Sequence, residues 1–154
     1  MFVLDSHCDT PSEIIRGRDM FADNFMGHVD FPKLRRGGVD GLFFALYVPA
    51  SLDADPSAAL AHAKKLLSGT QTVLNEAPEL AALATNCESA LNNKASGRIS
   101  LFLGLENGSP FDPSTDWKKT LSEFYEAGVR YQQEPLPQIY TYEGLMAMFN
   151  KRMI

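Results

Sequence analysis

The chain has 154 residues, of which 45% are hydrophobic, 21% charged and 10% aromatic, the balance of one globular domain and not of a disordered tail or a fibre. Fourteen basic residues stand against 19 acidic ones, a net charge of -5, which excludes the broad cationic surface that neutralises nucleic-acid phosphates or anionic lipid. No stretch reaches the roughly 18 uninterrupted apolar residues of a bilayer-spanning helix, and MFVLDSHCD has neither a basic n-region nor a cleavage site, so no membrane partner and a cytoplasmic location are expected. Cys8 and Cys87 are too few for a disulfide framework or a zinc knuckle and read as free thiols.

In chain order, Phe2 to Ser6 reads as a short buried strand ending at His7, Cys8, Asp9, Thr10 and Pro11. Gly41 to Val48 (GLFFALYV) is a continuous apolar run between Gly37-Gly38 and Pro49, the pattern of a strand covered on both faces. Asp55 then Pro56 is a helix start, and Leu60, Ala63, Leu66, Leu67, Val73 and Leu74 recur at helical spacing behind it. Leu80 to Ala84 is a weak strand pattern, Cys87 to Ala95 a short helix, and Ile99 to Leu105 (ISLFLGL) a strong strand. Asp116 to Glu126 fits a helix with Trp117, Leu121 and Phe124 on one face, closed by Gly128 before Val129, Arg130 and Tyr131. From Gln132 to Ile154 the character changes to a polar, proline-containing stretch and a Met-rich one whose structure the pattern does not specify.

Strands alternating with helices specify an α/β fold with a parallel sheet and helical crossovers. Two architectures satisfy that order: an open doubly wound sheet, or part of a (β/α)8 barrel. The first strand is not followed by a Gly-rich phosphate loop, which weakens a dinucleotide-binding open sheet.

His7 and Asp9 form an H-x-D pair at the carboxyl end of a strand, where alternation would turn both to one side and Cys8 to the other. An imidazole with a carboxylate suits Zn²⁺ and related ions, and the carboxyl ends of parallel strands are where α/β proteins carry their sites. The alternative is that Asp9 merely caps the turn into Thr10-Pro11. Glu106, directly after ISLFLGL, sits at the matching strand end; it could bridge two cations, or be a loop residue hydrogen-bonded by Asn107 or the Gly108 backbone. Asp5, two residues before His7, could accept an imidazole N–H from behind the ligand, or be an internal polar residue of a barrel. His28 and His62 read as surface residues, and Lys33, Arg35 and Arg36 as solvated or ion-paired loop charges.

In order and spacing, LDSHCDTP, HVDFPKLRRGGVDGLFFALYVP, LGLENG and FYEAGVRY resemble the N-terminal part of the membrane dipeptidase (renal dipeptidase, peptidase M19) family, from Met1 to about Tyr131. The resemblance implies a (β/α)8 TIM-like barrel with a two-zinc site that hydrolyses dipeptides. It implies that His7 and Asp9 bind one zinc and that Glu106 is the catalytic carboxylate bridging both ions, which together activate a water against the scissile carbonyl.

The departures are equally specific. Where the family continues after GVRY with a T-H-x-x-N type strand end, Tyr131 runs into QQEPLPQIYTY, and neither that histidine nor the later histidines, arginine and aspartate of the family site have counterparts. Since a complete barrel takes about 250 residues, the expectation is a truncated N-terminal half barrel over residues 1–131 with a divergent tail over 132–154. Such a half exposes strand edges, inviting a homo-oligomer or a complementing second-half chain. The readings that remain are a metallo-dipeptidase with an incomplete zinc site, or a non-catalytic α/β remnant acting as a binding or assembly module. An amidohydrolase-type site would present H-x-H where this chain has Asp9.

Overall fold

The computed structural model describes residues 1–113 and 115–132, so the Met-rich stretch and most of the expected tail lie outside the described residues. The elements are β1 (Leu4–Cys8), α1 (Thr10–Ile14), α2 (Phe31–Arg36), β2 (Gly41–Tyr47), α3 (Pro56–Glu76), β3 (Ala81–Leu83), α4 (Cys87–Ala95), β4 (Ile99–Glu106), α5 (Trp117–Glu126) and β5 (Val129–Gln132). All strand pairs are parallel. β2 lies between β1 and β4, while β3 and β5 share the other edge of β4, β3 beside Ile99–Leu101 and β5 beside Leu103–Leu105.

That order separates the two candidate architectures. β1, β2, β4 and β5 follow one another across the sheet in chain order, without the reversal that defines a doubly wound sheet; successive parallel neighbours of this kind build the wall of a (β/α)8 barrel. β3 is a short extra strand wedged beside the start of β4.

The register explains which residues are buried. Leu42, Phe44 and Leu46 pair with Leu101, Leu103 and Leu105, and because side chains alternate along a strand, these six form one apolar face, none more than 1% exposed. They join a core with Ala59, Ala63, Leu66, Leu67 and Val73 of α3 and Phe124 of α5. The opposite face carries Phe43 with Phe102, Ala45 with Gly104, and Tyr47 with Glu106. The Phe43 and Phe102 rings stack 4.8 Å apart, both half-buried, and Tyr47 is exposed. The expectation of a strand covered on both faces therefore holds for the helical side alone among the described residues. β1 also departs from expectation: it runs to Cys8 and is exposed from Leu4 to His7, because among the described residues it has a partner on one edge and no helix over that stretch.

Local chemistry sets the helix ends. Asp55 caps α3 by accepting from the Ala58 N–H, and Asn86 and Ser89 form a reciprocal capping box on α4. Gly128 follows α5 at φ +98°, a conformation that L side chains rarely adopt, and a Cβ there would meet Leu83 at 2.4 Å, so glycine is required both for the turn and for the approach of β3.

Helix α2, missed by periodicity because it is only six residues long, is held by one carboxylate. Asp30 is fully buried and accepts from the Lys33 N–H at 2.9 Å and the Asn24 N–H at 3.1 Å, while its Oδ2 pairs with the Lys33 ammonium. Asp23 then joins Lys33 to Arg36, which binds it through two nitrogens at 2.8 and 3.0 Å. The basic cluster is thus ion-paired, and Arg35 reaches the Gly97 carbonyl. Burial by itself would raise the Asp30 carboxyl, but the Lys33 ammonium and the two backbone donors outweigh it and bring the group down to about 2.

A depressed carboxyl stabilises the fold above its unfolded value and loses that contribution as pH falls through its folded value. Asp30→Asn is therefore expected to cost about 2 kcal/mol at pH 7, a deficit relative to wild type that shrinks toward zero between about pH 4 and pH 2. Urea unfolding of both proteins across that range measures it. A deficit that stays constant with pH would show that Asp30 acts by shape and not by charge.

Candidate metal centre

The carboxyl ends of β1 and β4 bring His7, Asp9 and Glu106 together, with one potential ligand atom from each, all within 4.8 Å of one another. Both strands finish at the same end of the sheet, as the parallel pairing through β2 requires. His7 Nε2 is 3.4 Å from Asp9 Oδ1 and 3.5 Å from Glu106 Oε2. Those separations exceed ordinary N–H···O hydrogen bonds of about 2.7–3.2 Å. They lie close to the edge of a tetrahedron built on bonds of about 2.0–2.1 Å, which comes to about 3.3–3.4 Å. One imidazole nitrogen with two carboxylates is also a donor set suited to a divalent ion of the zinc class.

The route by which these side chains meet differs from simple alternation. Asp5 pairs with Leu42 and Cys8 with Phe44, so the stretch of β1 from Asp5 to Cys8 gains one residue over β2, a bulge that resets which side each residue faces. Cys8 consequently turns into the core, its Sγ 3.0 Å from Thr10 Oγ1, while His7 faces the cleft. Asp9 lies beyond the strand at φ -83°, ψ 11°, the residue before α1, yet its side chain makes no capping bond. The capping alternative is thus excluded, and its carboxylate stands beside His7 instead. Asp5 does not serve the imidazole: its Oδ1 accepts the backbone N–H of His7 at 3.0 Å and steadies the bulge. Glu106 is the last residue of β4 and not a loop residue, and its side chain is 20% exposed against 41% for His7 and 63% for Asp9.

A small cleft opens next to the group, lined by Ser6, His7, Phe43, Ala45, Gly104, Glu106 and Tyr131 among others. Ala45 and Gly104 are register partners one step below Tyr47 and Glu106, and their small side chains leave the space. A Cβ on Gly104 would come within 3.0 Å of the Tyr131 ring, which edges onto Phe43 at 6.4 Å. His28 is exposed in the connection before α2 and His62 half-buried on α3, and neither belongs to the group.

Sequence patterns did not single out Asp53 or Ser109. Asn107 takes φ +80°, alone among the described residues other than glycine in having a positive φ. Its Nδ2 donates to the Val48 carbonyl at 3.0 Å and to Asp53 Oδ1 at 2.8 Å, and its Oδ1 accepts the Ser109 N–H at 3.0 Å. Hydrogen bonds from Ser109 and Asn107 hold the Asp53 carboxyl below its usual range. The Asn107-Gly108 dipeptide after an apolar strand was the available signal, since it marks a turn requiring positive φ.

The comparisons with known proteins agree with this fold. A family model described as membrane dipeptidase (peptidase family M19) matches residues 1–133. A dipeptidase of Aspergillus terreus, ataJ, is 28% identical over 142 residues, 84% of this chain and 34% of that protein. Among solved structures, a metallo peptidase from Rhodobacter sphaeroides liganded with a phosphinate mimic of the dipeptide L-Ala-D-Ala superposes with a TM-score of 0.73 at 20% identity, covering 86% of this chain and 44% of that one. The probable dipeptidase PvdM from Pseudomonas aeruginosa gives 0.75 at 17% identity, covering 86% and 34%. At these identities the structures share the fold. The chain spans between a third and a half of the length of each.

The two thiols test the bulge directly. Burial pushes the Cys8 thiol up, more than its hydrogen bonds with Thr10 lower it, whereas Cys87 is exposed at the start of α4. Ellman's reagent at pH 8 is expected to modify one thiol at once and the second only in denaturant, and the Cys87→Ser variant to lose the fast phase. Fast modification of two thiols in the native protein would place Cys8 on the open face instead.

Proposed function

The chain belongs to the membrane dipeptidase family, peptidase family M19, and from that premise we propose that it supplies one flank of a zinc-dependent dipeptidase centre, with His7 and Asp9 on one ion and Glu106 shared between two. The observation that carries this reading is the convergence of His7, Asp9 and Glu106 at the carboxyl ends of β1 and β4, with His7 Nε2 3.4 Å from Asp9 Oδ1 and 3.5 Å from Glu106 Oε2 and one potential ligand atom of each residue within 4.8 Å of the others.

Each side chain has a distinct task. His7 presents Nε2 to the group while Asp5 fixes the peptide behind it. Asp9 and Glu106 bring negative charge that offsets a dication, and Glu106, with two oxygens on the best-buried of the three side chains, is suited to a shared position. The Ala45 and Gly104 floor, walled by Phe43 and Tyr131, leaves a cleft of about 10 Å³ beside the ligands, the room of one water molecule. When bound, the ions would supply Lewis acidity, polarising the scissile carbonyl and lowering the pKa of water. In the reaction, water adds to the carbonyl carbon, the C–N bond breaks and a proton passes to the departing amine. The substrate class proposed is a dipeptide of the L-Ala-D-Ala type, the compound mimicked by the ligand of the Rhodobacter enzyme.

His7, His28 and His62 are the chain's three histidines, and the latter two stand apart from the group, so the remaining ligands of a two-ion site are assigned to a complementing second-half chain. Zinc titration by calorimetry is expected to show one ion per chain, with affinity reduced at least about tenfold in His7→Ala and Glu106→Ala. Hydrolysis of L-Ala-D-Ala is expected only after a complementing chain is added, and to vanish again in both variants. Absence of zinc binding by the wild type would overturn the reading. Zinc binding with no hydrolysis under any complementation would leave a binding module instead.

A further inference from the structure

We propose that Asn107 is the positioning residue of this centre: its side-chain amide, braced by Asp53, closes the last rung between β2 and β4 and so sets where Glu106 points. The functional half of the inference rests on the metal reading above; the structural half does not.

In a parallel ladder a residue donates its N–H to one partner residue and accepts, at its C=O, from the residue two positions further along. The Val48 N–H donates to the Glu106 carbonyl at 3.0 Å, so the Val48 carbonyl would ordinarily receive the N–H of residue 108. Asn107 prevents that. At φ +80° it turns the chain out of the sheet, and its own Nδ2 fills the vacated position on the Val48 carbonyl. Val48 is fully buried, and a carbonyl there needs a donor.

The second hydrogen of the same amide goes to Asp53 Oδ1, in the segment that follows β2, and Ser109 Oγ donates to that oxygen as well. Asn107 Oδ1 is meanwhile held by the Ser109 N–H. Every polar atom of the Asn107 side chain is therefore engaged, by three segments that converge on the end of β4. Glycine would adopt the same φ at less cost but would have no amide, and aspartate would keep the shape and the acceptor without the donor. Asparagine combines tolerance of φ +80° with a donor for two acceptors. The residue immediately before it is Glu106, whose carbonyl is fixed by one rung and whose exit direction is fixed by the next. Rotation of the strand end would swing the carboxylate relative to His7, which stands on a separate strand two places across the sheet.

The experiment compares wild type with Asn107→Gly and Asn107→Asp in the 154-residue chain, using two readouts. Amide hydrogen exchange without metal is expected to show protection at Val48 lowered by about tenfold or more in both variants, while amides of α4 and the start of β4 stay near wild type. Zinc affinity by calorimetry is expected to fall by about tenfold, within the range for residues that orient metal ligands. Adding Asp53→Asn to Asn107→Asp removes the facing charge but gives the Val48 carbonyl no donor, so the lowered protection at Val48 should persist in the double variant. Unchanged protection at Val48 would overturn the inference, whatever the zinc result. Lowered protection in a chain that binds no zinc even as wild type would uphold the positioning role and sink the metal reading instead.

Discussion

The parallel register between Gly41–Tyr47 and Ser100–Glu106 is the constraint on which the rest of the molecule depends. Seven residue pairs in unbroken register give each side chain a fixed face. The even steps place Leu42, Phe44 and Leu46 over their leucine partners and under the helices, where burial of each side chain contributes about 1.5–3 kcal/mol. The odd steps leave aromatic rings, then small residues, then Tyr47 and Glu106 on the other face. A slip of one residue would exchange the two faces, putting Glu106 into the core and three leucines into the cleft. The apolar core therefore locates the carboxylate as firmly as any contact that the carboxylate makes itself.

β1 joins this frame under weaker constraints, which matters for the site. It is an edge strand among the described residues, exposed from Leu4 to His7, and its ladder is interrupted between Asp5 and Cys8. The interruption buries Cys8 and frees His7 toward the cleft, so a local loss of pairing brings a candidate ligand to the sheet's open face. Bulges commonly re-aim side chains in this way near active sites. The Asp5 carboxylate, bonded to the His7 N–H, compensates a backbone donor that the irregular ladder leaves over.

The sequence was most legible where a pattern has a single physical cause. Continuous apolar runs located β2 and β4, the Asp55-Pro56 pair located the start of α3, and the strand ends marked His7, Asp9 and Glu106. It was least legible where tertiary context decides. The start of β1 was placed too early because Phe2 and Val3 are as apolar as a strand, although pairing with β2 begins at Leu4. Alternation correctly grouped His7 with Asp9, but for a different reason, since Asp9 has left the strand and reaches back from the turn. For Asp5 the sequence left two readings open, an acceptor for the imidazole or an internal polar residue of a barrel, because spacing cannot show that the donor is the His7 backbone N–H. Helix α2 is too short for periodicity, and its cause, a buried Asp30 satisfied by Lys33 and Asn24, is a set of contacts and not a pattern.

The three side chains of the centre are held with unequal firmness, and the inequality has a thermodynamic consequence. Glu106 ends a central strand whose neighbours lie on both sides, whereas His7 and Asp9, about two and three times as exposed, sit on an edge strand and the turn after it. An ion shared by the three would tie the edge to the centre across β2, a link that backbone hydrogen bonds provide only through the bulged ladder. Binding to the folded form alone stabilises it by RT ln(1 + [L]/Kd), and the part of that free energy spent on ordering β1 is subtracted from the affinity. The bulge therefore acts in two directions. It turns His7 toward Glu106, and by loosening β1 it makes the order of this edge responsive to whatever occupies the space between them.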